Sequence, residues 1–145
     1  MLFYEWLDKW LKVYKEGNVQ LSTLNNYKYA VSLIKQNMLN DDIEAINEEQ
    51  IQVLLQNLYK KQYAKSTIKL VKLTLTQAFK RAIKQHYLID NPAEDTKVPI
   101  MAFEKTVASL SLSQEKKIIE ASEKDIHGDL IQFLLFTGLR KGEMI

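Results

Sequence analysis

Arg140 and Glu143 stand three residues apart, just after Thr137-Gly138-Leu139, in the run Phe136 to Ile145. Taken by themselves, a glycine after a buried helix is an ordinary C-cap and Arg-x-x-Glu three apart is an ordinary helical ion pair. Other chemistry is thinly provided. The chain has no cysteine, which excludes disulfides, thiolate-bound zinc and thiol nucleophiles. His86 and His127 are the only histidines, too few to build a metal centre. His86 falls near a helix end and His127 in a turn before Gly128. The acidic pairs Asp41-Asp42 and Glu48-Glu49 lie at helix starts, where carboxylates complement the helix dipole. No Gly-rich phosphate loop is present, and no metal or cofactor is expected.

The stronger signal is electrostatic. Between Gln50 and Ile89 there is no Asp or Glu, while Lys60, Lys61, Lys65, Lys69, Lys72, Lys80, Arg81 and Lys84 give a net +8. The rest of the chain carries 12 basic and 18 acidic side chains, a net −6, so the overall +2 hides a segregation. At about 100° per residue, Lys65, Lys69, Lys72, Lys80 and Lys84 fall on one side of a single helix, with Thr76 among them. Like charges stacked at these spacings repel. A polyanion relieves that repulsion and releases its own counterions, which is how nucleic-acid phosphates reward clustered lysines. A merely solvating face would mix signs. A membrane-surface helix would need free apolar residues, and here the core needs them.

These residues must be positioned by helices. Phe3, Trp6, Leu7, Trp10, Leu11 and Tyr14 recur by three and four, and Gly17-Asn18 supplies a stop. Ser22 or Thr23 is expected to cap a second helix with a stripe of Leu24, Tyr27, Val31, Ile34 and Met38. Asn47 with Gln50 resembles a capping box before Ile51, Leu54, Leu55 and Leu58. Ser66 or Thr67 is expected to open a fourth helix, with Ile68, Val71, Leu75, Ala78, Phe79 and Ala82 buried, running to about Leu88 before Asp90-Asn91-Pro92. No strand pattern appears, so the fold class is all-α. Residues 93–109, with Pro99 and no helical period, read as a linker or extended crossing segment. A further helix begins near Ser113, and Leu130 to Phe136, apolar almost all round, is expected to form a buried helix over 129–137. There is no apolar run of about 18 residues and no signal-peptide pattern, so a soluble, cytoplasmic chain is expected.

The run LLFTGLRKGEMI resembles the Thr-Gly-Leu-Arg-x-x-Glu turn that opens the active site of the tyrosine recombinases of phage-integrase type. Leu112-Ser113-Gln114-Glu115 with Ile118-Ile119 is similar to the helix opening that family's catalytic domain. Upstream, Trp6 and Trp10, Ser22-Thr23 with Tyr27, Ser66-Thr67, Ala78-Phe79 with Ala82, and Leu88-Ile89 with Asn91-Pro92 resemble its SAM-like core-binding domain. The resemblance covers essentially the whole chain.

The resemblance implies a four-helix core-binding bundle over 1–92, a linker over 93–109, and the first two helices of a catalytic domain over 110–145. The bundle would clamp double-stranded DNA with its second and fourth helices, through Thr23, Lys28, Lys65, Ser66, Thr67, Lys69, Lys72, Lys80 and Lys84. Arg140 matches the arginine that holds the scissile phosphate, and Glu143 the acid that supports it. Further partners would be other recombinase protomers, with no membrane involved. The intact family cleaves and rejoins DNA through a phosphotyrosine link without metal or external energy. Its later lysine, His-x-x-Arg box, further His or Trp and nucleophilic tyrosine follow the arginine, whereas the last tyrosine here is Tyr87. The 145 residues are therefore expected to be a truncated, catalytically inactive portion of such an enzyme. The alternatives are a stand-alone helical DNA-binding or regulatory module, or a protein-interaction domain. For the helix over 129–137, the expectation is oligomerisation, strapping against the bundle, or poor order beyond about residue 105.

Overall fold

The apolar stripe that starts at Phe3 does form a helix, α1 (Phe3–Trp10), with Phe3, Trp6, Leu7 and Trp10 at most 1% exposed. The structure is a computed structural model and describes residues 1–100, 102, 108–140 and 143. It divides into two units, Met1–Lys105 and Thr106–Ile145, each described by itself. α1 runs on into a π-helical turn, Leu11–Lys15, in which the Glu16 N–H donates to the Leu11 carbonyl at 2.9 Å. The wider turn re-aims Tyr14 and Lys15 relative to an α-helical continuation. Gly17 then ends it at φ +76°, where a side chain would be strained.

α2 (Leu21–Asn37), a 3₁₀ turn (Ile43–Ala45), α3 (Glu48–Lys60) and α4 (Lys65–Lys84) complete the bundle, with α4 packed on α1, α2 and α3. The caps of α2 and α4 differ from expectation. Extended backbone at Gln20 and Ala64 starts the two helices earlier, so Ser22, Thr23, Ser66 and Thr67 lie within first turns and neither N-cap side chain bonds the helix. Asn47 and Gln50 do form the reciprocal capping box, at 3.0 Å in both directions.

α4 ends at Lys84, short of the expected Leu88, because His86 turns to φ +60°. Its N–H donates to Ile83 O at 2.9 Å and that of Tyr87 to Ala82 O at 3.0 Å, the two bonds of a Schellman motif. α3 ends the same way: Gln62 sits at φ +60°, donating to Tyr59 O, while Tyr63 donates to Leu58 O. In each case a tyrosine follows the left-handed residue and is laid against the core. Tyr87 meets Trp6 edge-on at 5.3 Å, and the Trp6 indole N–H donates to Ala78 O at 3.2 Å. Phe3 stacks on Phe79 at 5.6 Å, and Trp10 meets Tyr27 at 5.3 Å. Each such side chain, fully buried, contributes roughly 1.5–3 kcal/mol.

The segment expected as a linker begins by packing on this bundle. Asn91 accepts from Ala93 N at 3.1 Å and donates to Thr76 O at 3.2 Å, which turns the chain back over α4. Ala93 and Thr96 are buried, and Gln52 and Lys97 exchange two hydrogen bonds at 2.9 and 2.8 Å. Residues 101 and 103–107 lie outside the described residues.

The second unit pairs α5 (Leu112–Ser122) with α6 (Gly128–Thr137). α5 begins within a residue of the expected Ser113, capped by Ser111 in a capping box with Gln114. Gly128 lies so close to α5 that a β-carbon there would stand 2.0 Å from the Ser122 carbonyl oxygen. α6 is not buried as expected: Leu130, Phe133 and Phe136 are 45%, 49% and 70% exposed. A helix apolar all round needs cover on every side, and α5 covers only one.

Candidate nucleic-acid interface

α4 carries the acid-free run, and its buried side, from Ile68 to Ala82, leaves the opposite side open. Lys69, Lys80 and Lys84 stand exposed there, joined by exposed Ser66 at the helix start. Among the described residues Lys69 and Lys84 have no hydrogen-bond or ion-pair partner. Lys65 and Thr67 are half-buried in the first turn of α4. On α2, Lys28 is exposed and Thr23 half-buried.

An acid-free stretch of sequence is not an acid-free surface. Glu94 folds back so that its carboxylate lies 3.6 Å from Lys80 Nζ, and Glu16 lies 3.6 Å from Lys28 Nζ. All four side chains are about half exposed, so each pair contributes roughly 0–1 kcal/mol and exchanges readily for a stronger anion. Lys72 differs in kind. Its Nζ donates to the main-chain carbonyls of Glu94, at 3.3 Å, and Thr96, and so ties α4 to the returning segment. Expected in the binding row, Lys72 sits at its edge, where the helix turns towards the core, and its charge is engaged by main chain.

Two cations that the helical count left aside extend the face. Lys15 Nζ donates to Gln77 Oε1 at 2.7 Å and lies 4.9 Å from the Trp10 ring centre and 4.7 Å from that of Tyr27. The Arg81 guanidinium lies over the Tyr14 ring at 4.1 Å. With Lys80 and Lys84 they line an open groove of about 440 Å³. Arg81 could have been drawn from the same basic run, whereas Lys15 enters only through the π-helical turn, which no apolar period signals.

In the second unit Gly138 caps α6 at φ +65°, its N–H donating to Leu134 O at 3.0 Å. Arg140 follows on exposed chain, and its main-chain N–H donates to Glu143 Oε2 at 2.8 Å. The Glu143 N–H donates to Arg140 O at 2.8 Å, so Glu143 fastens the arginine's backbone through both its carboxylate and its main chain. Lys141, Gly142, Met144 and Ile145 lie outside the described residues.

Bundle and charge define an all-α, SAM-like helical domain with one cationic side. Residues 2–59 match the family described as phage integrase, N-terminal SAM-like domain. The integrase of Enterobacteria phage 434 is 26% identical over 120 residues, which are 83% of this chain and 33% of that protein. The integrase of Escherichia phage lambda is 25% identical over the same share of each. The solved core-binding domain of bacteriophage lambda integrase is 26% identical with a TM-score of 0.59, covering 64% of this chain and 99% of that one. A Tn1549 transposon integrase, solved in complex with circular intermediate DNA, shares the fold with a TM-score of 0.75 at 24% identity, over 97% of this chain and 47% of that one. The chain is thus similar to phage and transposon integrases, with the family match itself confined to residues 2–59. It spans about a third of the length of the curated relatives it matches.

Proposed function

We propose that this chain is the DNA-gripping portion of a tyrosine-type site-specific recombinase, acting in DNA integration and recombination. The observation that carries the reading is the open row of Lys69, Lys80 and Lys84 on α4, on a bundle of the kind found in a transposon integrase solved in complex with DNA. Lys28 and Thr23 on α2 and Lys65, Ser66 and Thr67 at the start of α4 extend the contact. Lysines meeting phosphates fix the register of a protein on a duplex and supply most of its salt-dependent affinity. The half-exposed partners Glu94 and Glu16 give way to phosphate at low cost, because a surface ion pair holds its lysine weakly.

In the second unit Arg140 is read as the residue that holds the scissile phosphate, its planar fork suited to two oxygens. Glu143, bonded to the Arg140 main chain, sets the direction from which that side chain leaves. Other protomers assemble with it on the DNA, as the lambda integrase solved as a dimer on a core site does. No helix among the described residues is long and apolar enough to cross a membrane. The cytoplasm, where such DNA resides, is the proposed location.

The test is fluorescence anisotropy with a labelled 30-base-pair duplex. The chain should bind, and Lys69→Ala with Lys84→Ala together should weaken binding at least tenfold while leaving thermal stability unchanged. Equal binding by the chain and the double variant would overturn the reading.

A further inference from the structure

The groove between the π-helical turn and α4 holds four cations, Lys15, Lys80, Arg81 and Lys84, and no carboxylate among its lining residues. Two of the four are unusually fixed for surface cations. Lys15 is held by Gln77, which also accepts from the Tyr27 hydroxyl at 3.1 Å, and by two aromatic rings. Arg81 is stacked on Tyr14, a contact that uses the face of the guanidinium and leaves its N–H groups to donate in the plane. Its Nε is buried and has no acceptor in the structure. A buried donor without an acceptor costs about 1–3 kcal/mol, while the Nη groups of Arg81, which are not buried, remain to meet an anion in the groove. Cations held in place before binding also lose less side-chain entropy when they meet a ligand.

We propose that this groove is a dedicated seat for one backbone phosphate of the bound duplex, with Arg81 as its anchor and Lys15 as its fixed second cation. The site rests on the duplex-binding reading above and adds to it a contact outside the α4 row. It differs from the row in chemistry. Lys69 is an exposed, unpartnered point charge that any phosphate can meet, whereas Arg81 offers a planar fork in one orientation. The seat therefore fixes where along the backbone the bundle stops.

Arg81 and Arg140 are the only arginines in the chain, so the two arginine Nε–H signals in a nitrogen–proton correlation spectrum can be assigned with one variant. The unaltered chain is titrated with a 30-base-pair duplex and, separately, with inorganic phosphate at the same total phosphate concentration. Anisotropy is followed in parallel. The Arg81 signal should shift with the duplex in step with binding and stay nearly still with inorganic phosphate. Arg81→Gln should lower duplex affinity about tenfold and the log–log salt slope by about 0.9. Lys69→Ala should lower the slope equally while leaving the Arg81 shift intact. A duplex that binds while the Arg81 signal does not move, as it would if the groove took an acidic peptide, overturns the seat and leaves the duplex reading standing. A signal that follows inorganic phosphate alone overturns it too. A chain that binds no duplex overturns both.

Discussion

Lys69 and Lys72 lie three residues apart on α4 and would be exchangeable in any argument from charge alone, so substituting each by alanine separates binding from architecture. Lys72 Nζ donates to the carbonyls of Glu94 and Thr96 and pins the returning segment to the bundle. A hydrogen bond to a charged group contributes about 1.5–3 kcal/mol. Holding a long side chain in one geometry costs up to about 2 kcal/mol in lost rotamer freedom. With the side chain only half-buried, the net loss in Lys72→Ala is about 1–2 kcal/mol. For a unit of roughly a hundred residues that is a fall of about 5–10 °C in melting temperature. Lys69→Ala removes an exposed side chain without a partner and should stay within about 0.5 kcal/mol. In anisotropy titrations across a salt series the order reverses: Lys69→Ala flattens the log–log slope by about 0.9, and Lys72→Ala changes it little. Lys72→Met, which keeps the stem, should lose most of the stability that alanine loses. If both alanine variants flatten the slope equally and neither lowers the melting temperature, the assignment of Lys72 to the strap is wrong.

Three further outcomes follow from local geometry. Gln62→Gly and His86→Gly each relieve a left-handed backbone that costs a side-chain-bearing residue about 1–2 kcal/mol, partly offset by the freedom glycine gains when unfolded. Each should raise urea-midpoint stability by about 0.5–1 kcal/mol, and the alanine variants should not. Asn47→Ala breaks both bonds of the α3 capping box and should cost about 1 kcal/mol in the same assay. Gly128→Ala sets a methyl against the Ser122 carbonyl, so amide exchange in α5 and α6 should accelerate while that of Met1–Lys105 stays unchanged.

The parts legible in the sequence are those governed by a period. The stripes from Phe3, Leu24, Ile51 and Ile68 set the four helices and most of their buried side chains, because an apolar residue every third or fourth position leaves one arrangement that buries them. The helix ends were less legible. Ser22 and Thr67 have the chemistry of caps, but Gln20 and Ala64 take the extended backbone that begins the helix. Gln62 and His86 end helices where glycine would have announced the stop, and the cost is met by seating Tyr63 and Tyr87 on the core. The cationic face was visible as a run without acid, but not its sorting. Which lysine is tied down depends on Glu94 and Thr96, which reach α4 only through the turn made by Asn91. Lys15 depends on a π-helical turn that leaves no periodic trace. The apolar run of α6 gave a helix correctly but not its exposure, since burial depends on neighbours outside the run.

The salt dependence of duplex binding by the whole chain tests the central claim most directly. With about five of the cations on α2, α4 and the groove each meeting a phosphate, the slope of log affinity against log salt should be about −4 to −5. That is a loss of several hundredfold or more between about 50 and 200 mM salt. A slope near zero, or no duplex binding at low salt, would contradict the account.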